Sequence, residues 1–248
     1  MGKHAVVSRL ENDFPSLPLP VEFMRIAAMT TSQSSHLVWF DTEYTSLDLE
    51  QARLLQVAMV ITDTQGRRIA APDQDLVTAV HLPPGIPVSD FVAKECPDLL
   101  RQARQESTPA VEAVDTLLAN RLDILLGPAP ARIKDRPILA GNTIHADWWM
   151  ANRFLPKFLA RLHYRMLDVS SLKILWLDTK AGPEFDKENL PLLQEHLPGW
   201  TLPDKPRRHD ALYDVMGSIA ELNFYRRRLM KVDHRLSPAA TEEIAGLP

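Results

Sequence analysis

The sequence predicts an α/β fold in which a mixed five-stranded sheet is flanked by helices. Three observations carry this. Two apolar runs, 36–41 and 54–62, follow one another, and a turn signal and a further short run come next, as strands of an antiparallel meander do. From residue 137 onward, short apolar runs alternate with helical stretches, the pattern of a helix-covered sheet. The polar and proline-rich stretches between these segments are too short and scattered to mark a second domain. The expected organisation is an N-terminal extension at 1–32, poorly ordered, one domain at 33–232 and a C-terminal tail at 233–248.

Each element has its own signal. Residues 36–41, HLVWFD, are a buried strand ending in an acid, and 54–62, LLQVAMVIT, form the second strand. Asp63-Thr64-Gln65-Gly66 reads as a turn, so Arg67 to Ala71 are expected to return as a third strand. A proline-rich loop covers 82–87. Helical pattern runs from Ser89 to about Arg104. Thr108-Pro109 opens another helix, with Val111, Val114, Leu117, Leu118 and Leu122 spaced along one face and Gly127-Pro128 ending it. PILAG at 137–141 is the fourth strand, a helix follows from about His145 to Phe154, and 164–168 is the fifth strand, with Ser170 as the cap of the helix after it. Loops at 178–188 and 197–208 precede a last helix at about 210–230.

Composition narrows the function. Hydrophobic and charged fractions of 45% and 24% are those of an ordinary globular protein, and the formal net charge is -4. A protein gripping long nucleic acid through its backbone usually carries a basic excess. A nucleic-acid substrate here is therefore expected to be short, or held by metal ions and a local basic patch. One cysteine, Cys96, excludes an intrachain disulfide and fits a reducing, cytoplasmic setting. No apolar run reaches the ~18 residues of a membrane span.

Three acidic constellations stand out. Asp41 and Glu43 lie at i and i+2 on the first strand, so both carboxylates point to one side at the strand's end. Hard cations such as Mg²⁺ take oxygen ligands of this kind. Asp147 follows the apolar strand and Gly141-Asn142, at the C-terminal edge where α/β sheets place ligands. His209 stands just ahead of the last helix and Asp214 one turn into it, an arrangement that suits a base approaching a metal-bound water. Taken singly, each also reads as a solvated strand end or a charged helix start.

Together they resemble the DEDD exonucleases of the RNase H-like fold, in the subgroup with a histidine five residues before the last aspartate. The likeness over about 36–229 is to the oligoribonuclease family in particular. It rests on Trp39-Phe40-Asp41-Thr42-Glu43-Tyr44-Thr45-Ser46-Leu47-Asp48, on Gly141-Asn142-Thr143-Ile144 leading to Asp147, on His163-Tyr164-Arg165-Met166-Leu167-Asp168-Val169-Ser170-Ser171-Leu172-Lys173, and on Ser218-Ile219-Ala220-Glu221-Leu222. The chain departs from the family pattern at Ser46, Thr143 and Trp148-Trp149.

The resemblance implies an RNase H-like exonuclease fold and 3′→5′ cleavage of short RNA oligonucleotides to 5′-mononucleotides. It implies two divalent ions, Mg²⁺ or Mn²⁺, on Asp41, Glu43, Asp147 and Asp214, with His209 as general base. Leu47, Thr143 and Ser170 would meet substrate. Tyr164 and Arg165 would reach the site of the other subunit of a homodimer. Alternatives within the resemblance are a DNA- or structured-RNA-trimming exonuclease and a catalytically silent nucleic-acid-binding module.

Overall fold

The strand at the centre of the sheet, β1 (His36–Tyr44), is apolar on both of its faces, and both are covered. Leu37 and Trp39 face one core, Val38 and Phe40 the other, which is why the run looks continuous rather than alternating. The computed structural model describes residues 36–180, 182–207 and 209–229; the expected extension and tail lie outside them. β2 (Leu54–Asp63) pairs antiparallel with β1, and β3 (Leu76–Ala79) antiparallel with β2. β4 (Ile138–Gly141) lies parallel on the other side of β1, and β5 (Met166–Asp168) parallel beyond it. The order β3-β2-β1-β4-β5 is the mixed five-stranded sheet expected.

Among the described residues, the helices are α1 (Asp90–Glu95), α2 (Pro97–Ala103), α3 (Val111–Leu126), α4 (Ile144–Phe154), α5 (Pro156–Leu159), α6 (Val169–Asp178), α7 (Leu190–His196) and α8 (Ala211–Leu229). On one face, α6, α7 and α8 bury Trp176, Leu193, Ile219, Phe224 and Tyr225 against Trp39 and Val60. On the other, α3, α4 and α5 bury Leu118, Leu122, Met150 and Phe158 against Phe40 and Met59. Full burial of such a side chain stabilises by about 1.5–3 kcal/mol, so the two layers clamp β1 between them.

Four expectations need correction. Arg67 to Ala71 make no strand: beyond one bridge, Thr62 to Arg68, and two backbone bonds, Asp63 N–H to the Arg67 carbonyl and Ile69 N–H to the Ile61 carbonyl, the segment leaves the sheet. Arg68 turns aside to Asp75 and lies over Trp200, Pro72 opens a 3-10 turn, and β3 forms only at 76–79. The helix expected from Ser89 to Arg104 is two, broken at Cys96 (φ -123°, ψ 45°), because Pro97 disfavours helical geometry in the residue before it. Leu117 is 42% exposed rather than on the buried face of α3. The cap of α6 is Asp168, whose carboxylate accepts from Ser170 N–H; Ser170 already lies inside the helix.

Candidate active site

The pairing pattern creates the site before any side chain is considered. β1 pairs with β4 only through Trp39 opposite Ala140, yet β1 runs on to Tyr44. Beyond Trp39 the β4 side of β1 is open. Into this gap at the C-terminal ends of β1 and β4 project the acids singled out in the sequence.

Asp41 and Glu43 point to the α8 side of β1, where the first turn of α8 brings Asp214. One carboxylate oxygen from each of the three lies within 4.8 Å of the others. Asp147, on the first turn of α4, comes from the opposite layer. It is buried, and its Oδ1 accepts from the Thr42 backbone N–H at 2.8 Å and from the Thr42 hydroxyl at 2.7 Å. Thr42 faces away from Asp41 and Glu43 on the same strand, so the strand that carries two acids also orients the third from its other face.

Crowding shows in the electrostatics. Burial first, then the charges of Asp147, Asp214 and Glu43, push the Asp41 carboxyl well above its ordinary value, with Lys187 opposing. Burial and the charges of Asp214, Asp147 and Asp210 raise Glu43 from 4.5 to about 8. Burial also raises Asp147, against the hydrogen bonds from Thr42 that lower it. Among the described residues, Lys187 brings a cation to the cluster, its Nζ 3.4 Å from Asp214 Oδ1. Carboxylates held this close repel unless protonated or bridged by cations. An all-oxygen donor set of this kind fits hard divalent metal ions.

Asp41, Glu43 and Asp214 open into a cleft of about 430 Å³ that is also lined by Tyr44, Leu47, Phe91 and His209. Leu47 is 88% exposed at its rim. His209 has a left-handed backbone, φ 57°, and its ring meets Phe91 edge-on at 5.3 Å between centroids.

Thr143 and Ser170 meet each other rather than the cleft. Thr143 N–H donates to Asp168 Oδ1 and Ser170 Oγ, both at 2.9 Å, and the two hydroxyls are 3.1 Å apart. Thr143 is itself in the left-handed region, φ 52°, unusual for a β-branched residue. Asn142 continues this network to Ser218 and to the buried Glu221, which also accepts from Tyr225. The network fastens the β4–α4 turn to β5, α6 and α8, and thereby sets where Asp147 stands. Tyr164 and Arg165 are exposed and do not line the cleft of their own chain; the Tyr164 ring stacks on His163 at 4.4 Å between centroids.

Sequence reasoning missed Thr42 and Lys187. Thr42 was visible as the middle residue of Asp-Thr-Glu, but its partner is 105 positions away. Lys187 lies in a loop with no periodic signal.

A family model described as Exonuclease (RNase_T) matches residues 38–222. The oligoribonuclease of Chromobacterium violaceum is 30% identical over 203 residues, covering 80% of this chain and 98% of that protein. The oligoribonuclease of Azoarcus sp. (strain BH72) is 33% identical over 203 residues, covering 80% and 97%. The mitochondrial oligoribonuclease of Bos taurus is 30% identical over 213 residues, covering 83% and 78%. Among solved structures, cell-death related nuclease 4 aligns with a TM-score of 0.52 at 15% identity over 78% of this chain. The exonuclease I of Methylocaldum szegediense aligns with 0.55 at 18% identity, also over 78%. This chain spans 64% and 41% of those two structures. At these identities the likeness is one of fold, the RNase H-like exonuclease fold.

Proposed function

The chain belongs to the oligoribonuclease family, and from that premise we infer a 3′→5′ exoribonuclease that shortens oligoribonucleotides, dinucleotides upward, to 5′-mononucleotides. The observation that carries the reading is the convergence of Asp41, Glu43 and Asp214 within 4.8 Å, beside Asp147 braced by Thr42.

The proposed cofactors are two divalent ions, Mg²⁺ or Mn²⁺, held by Asp41, Glu43, Asp147 and Asp214. When bound, such a pair activates water and stabilises the leaving 3′-oxygen of an in-line displacement. The protein supplies the rest. β1 and α8 fix three carboxylates on hydrogen-bonded backbone, and Thr42 holds the fourth. His209, on the wall of the same cleft, accepts the proton of the attacking water on an imidazole nitrogen, a role worth about 10²–10⁴-fold. Leu47 packs on a base at the rim. Thr143 and Ser170 act on substrate by shaping the β4–α4 turn, and a substrate phosphate near them would meet their remaining hydroxyl valences.

Tyr164 and Arg165 are assigned to the partner's site in a homodimer. Two features support this: both side chains are exposed and off their own cleft, and β5 is the sheet edge. Exposed apolar side chains continue from it, Met166 on β5 and Ile174, Leu175 and Leu177 on α6. An unpaired edge with an apolar neighbour is a surface that proteins cover. Among the described residues, no helix is long and apolar enough to cross a membrane. We assign the enzyme to the cytoplasm on its single, unpaired and buried cysteine.

The test is incubation of 5′-labelled RNAs of two to seven nucleotides with sub-stoichiometric protein and Mg²⁺ or Mn²⁺, beside matching DNAs. Stepwise loss of single nucleotides from the 3′ end of RNA is expected. Internal cleavage, faster turnover of DNA, or no turnover would refute the reading.

A further inference from the structure

A second cleft, of about 490 Å³, lies at the opposite end of α8 from the carboxylates. Three segments form it: the turn after β2 with Arg67 and Arg68, the loop after α7 with Trp200, and the last turns of α8 with Arg226 and Arg227. Among the described residues, four arginines and no carboxylate line it, in a chain whose net charge is -4.

Internal ion pairs do not use up these guanidinium groups. Arg68 is bound, Nη2 to Asp75 Oδ2 at 2.6 Å, and lies 3.5 Å from the centre of the Trp200 ring, which makes a stiff floor. Arg67 meets Asp63 through Nε alone, at 2.7 Å, and its side chain is 80% exposed. Among the described residues, Arg227 has only long contacts with Glu195, 3.4 Å to the carbonyl oxygen and 3.9 Å to the carboxylate. Arg226 is the most telling: its Nη1 is buried with no hydrogen-bond partner. Burial lowers its pKa, and Asp63 is the charge that opposes. A buried guanidinium N–H without an acceptor is costly and rare. The acceptor it lacks is an anionic oxygen, and guanidinium forks match phosphate best. The volume suits a nucleotide-sized group.

A neighbouring groove lies between this cleft and the catalytic end of α8. Leu197 to Trp200 line the cleft, while Thr201 to Pro203 and Arg207 line the groove, which reaches Asp210 and Tyr213 at the start of α8. Asp214 and Arg226 stand on one helix, 12 residues apart by their numbers (226 − 214), or roughly 18 Å at ~1.5 Å per residue. A dinucleotide seated at the carboxylates is too short to reach Arg226.

We propose that the arginine cleft holds a backbone phosphate of an oligoribonucleotide whose 3′ end lies at the carboxylates, so that strands of several nucleotides bind more tightly than dinucleotides. This rests on the exoribonuclease reading. The experiment compares wild type with Arg226→Gln and with Arg67→Gln/Arg227→Gln, the second pair being exposed and unable to disturb the core. Steady-state constants are measured on a dinucleotide and a heptanucleotide RNA, and binding of a labelled heptanucleotide is measured by anisotropy in EDTA. Both variants are expected to raise KM for the heptamer and weaken its binding about tenfold, as for a lost charge-assisted contact, and to leave dinucleotide kcat and KM unchanged. Equal loss on both substrates, or no loss on either, would overturn the proposal. Arginine-dependent binding of 5′-AMP alone, as tight as that of the heptamer, would overturn it in favour of a free-nucleotide site. Failure of wild type to cleave any RNA refutes the exoribonuclease reading; arginine-independent heptamer binding in EDTA refutes the cleft.

Discussion

Glu43→Gln is expected to stabilise the metal-free protein while abolishing its metal site. The carboxyl of Glu43 sits at about 8 in the fold against 4.5 in an open chain. The folded state therefore binds that proton more tightly than the unfolded state. Its contribution to stability is intact below about pH 4.5 and is lost as pH rises through 8. At ~1.4 kcal/mol per pH unit the ceiling is about 5 kcal/mol. The cleft is open to water and the repulsion is shared with Asp41, Asp147 and Asp214, so about 1–3 kcal/mol is the working figure. Gln keeps the shape and removes the charge. Urea unfolding in EDTA at pH 5 and pH 8.5 separates the states. The variant should gain little at pH 5 and about 1–3 kcal/mol at pH 8.5, whereas wild type with excess Mn²⁺ should recover the difference at pH 8.5. A variant no more stable than wild type at pH 8.5 would falsify the claim that these carboxylates repel one another when no cation bridges them.

Three further outcomes are expected. Thr42→Val removes one of two donors to Asp147 and should weaken divalent-ion binding about tenfold by calorimetry, the worth of a hydrogen bond to a charged acceptor; affinity within twofold of wild type would leave Thr42 without that role. His209→Ala should retain metal binding and the thermal transition while kcat falls ~10²–10⁴-fold, and activity within about threefold would remove His209 as the base. Mixing an Asp41→Ala chain with a Tyr164→Ala/Arg165→Ala chain should restore activity, because one site of the mixed dimer then has both its acids and the neighbour's Tyr-Arg pair; a mixture as inactive as its parts would place those residues in their own chain's site.

Much of the site was legible because strand periodicity is short-range. The rule that i and i+2 share a side places Asp41 and Glu43 together, and an apolar strand running into Gly-Asn places Asp147 at a sheet edge; that these acids form one set came from the family resemblance, because each alone also reads as a solvated strand end or a charged helix start. What stayed hidden depends on partners far along the chain. Asp63 accepts from Gln65 and Arg67 N–H, a tight turn that looks from sequence like the start of a full hairpin. Only Asp75 and Trp200 show that Arg68 is drawn off the sheet instead. α7 escaped notice because seven residues with Pro191 near the start are too few for a periodic pattern. Ser170 was expected to cap a helix; the structure makes Asp168 the cap and leaves the serine hydroxyl free to hold Thr143, a distinction that two polar residues on either side of Val169 do not reveal.

The unequal lengths of β1 and β4 carry a consequence for how such a protein can change. The catalytic gap exists because β1 outruns its neighbour, so it is a property of register more than of any loop. A one-residue slip in β1 turns Asp41 and Glu43 toward α4 and Thr42 toward α8, undoing the constellation while every residue type is still present. Insertions and deletions near residues 36–44 and 138–141 are therefore far more damaging than substitutions of similar size. The loop at 197–207, which belongs to no strand, is where length can drift and where the reach of the enzyme along its substrate can be retuned.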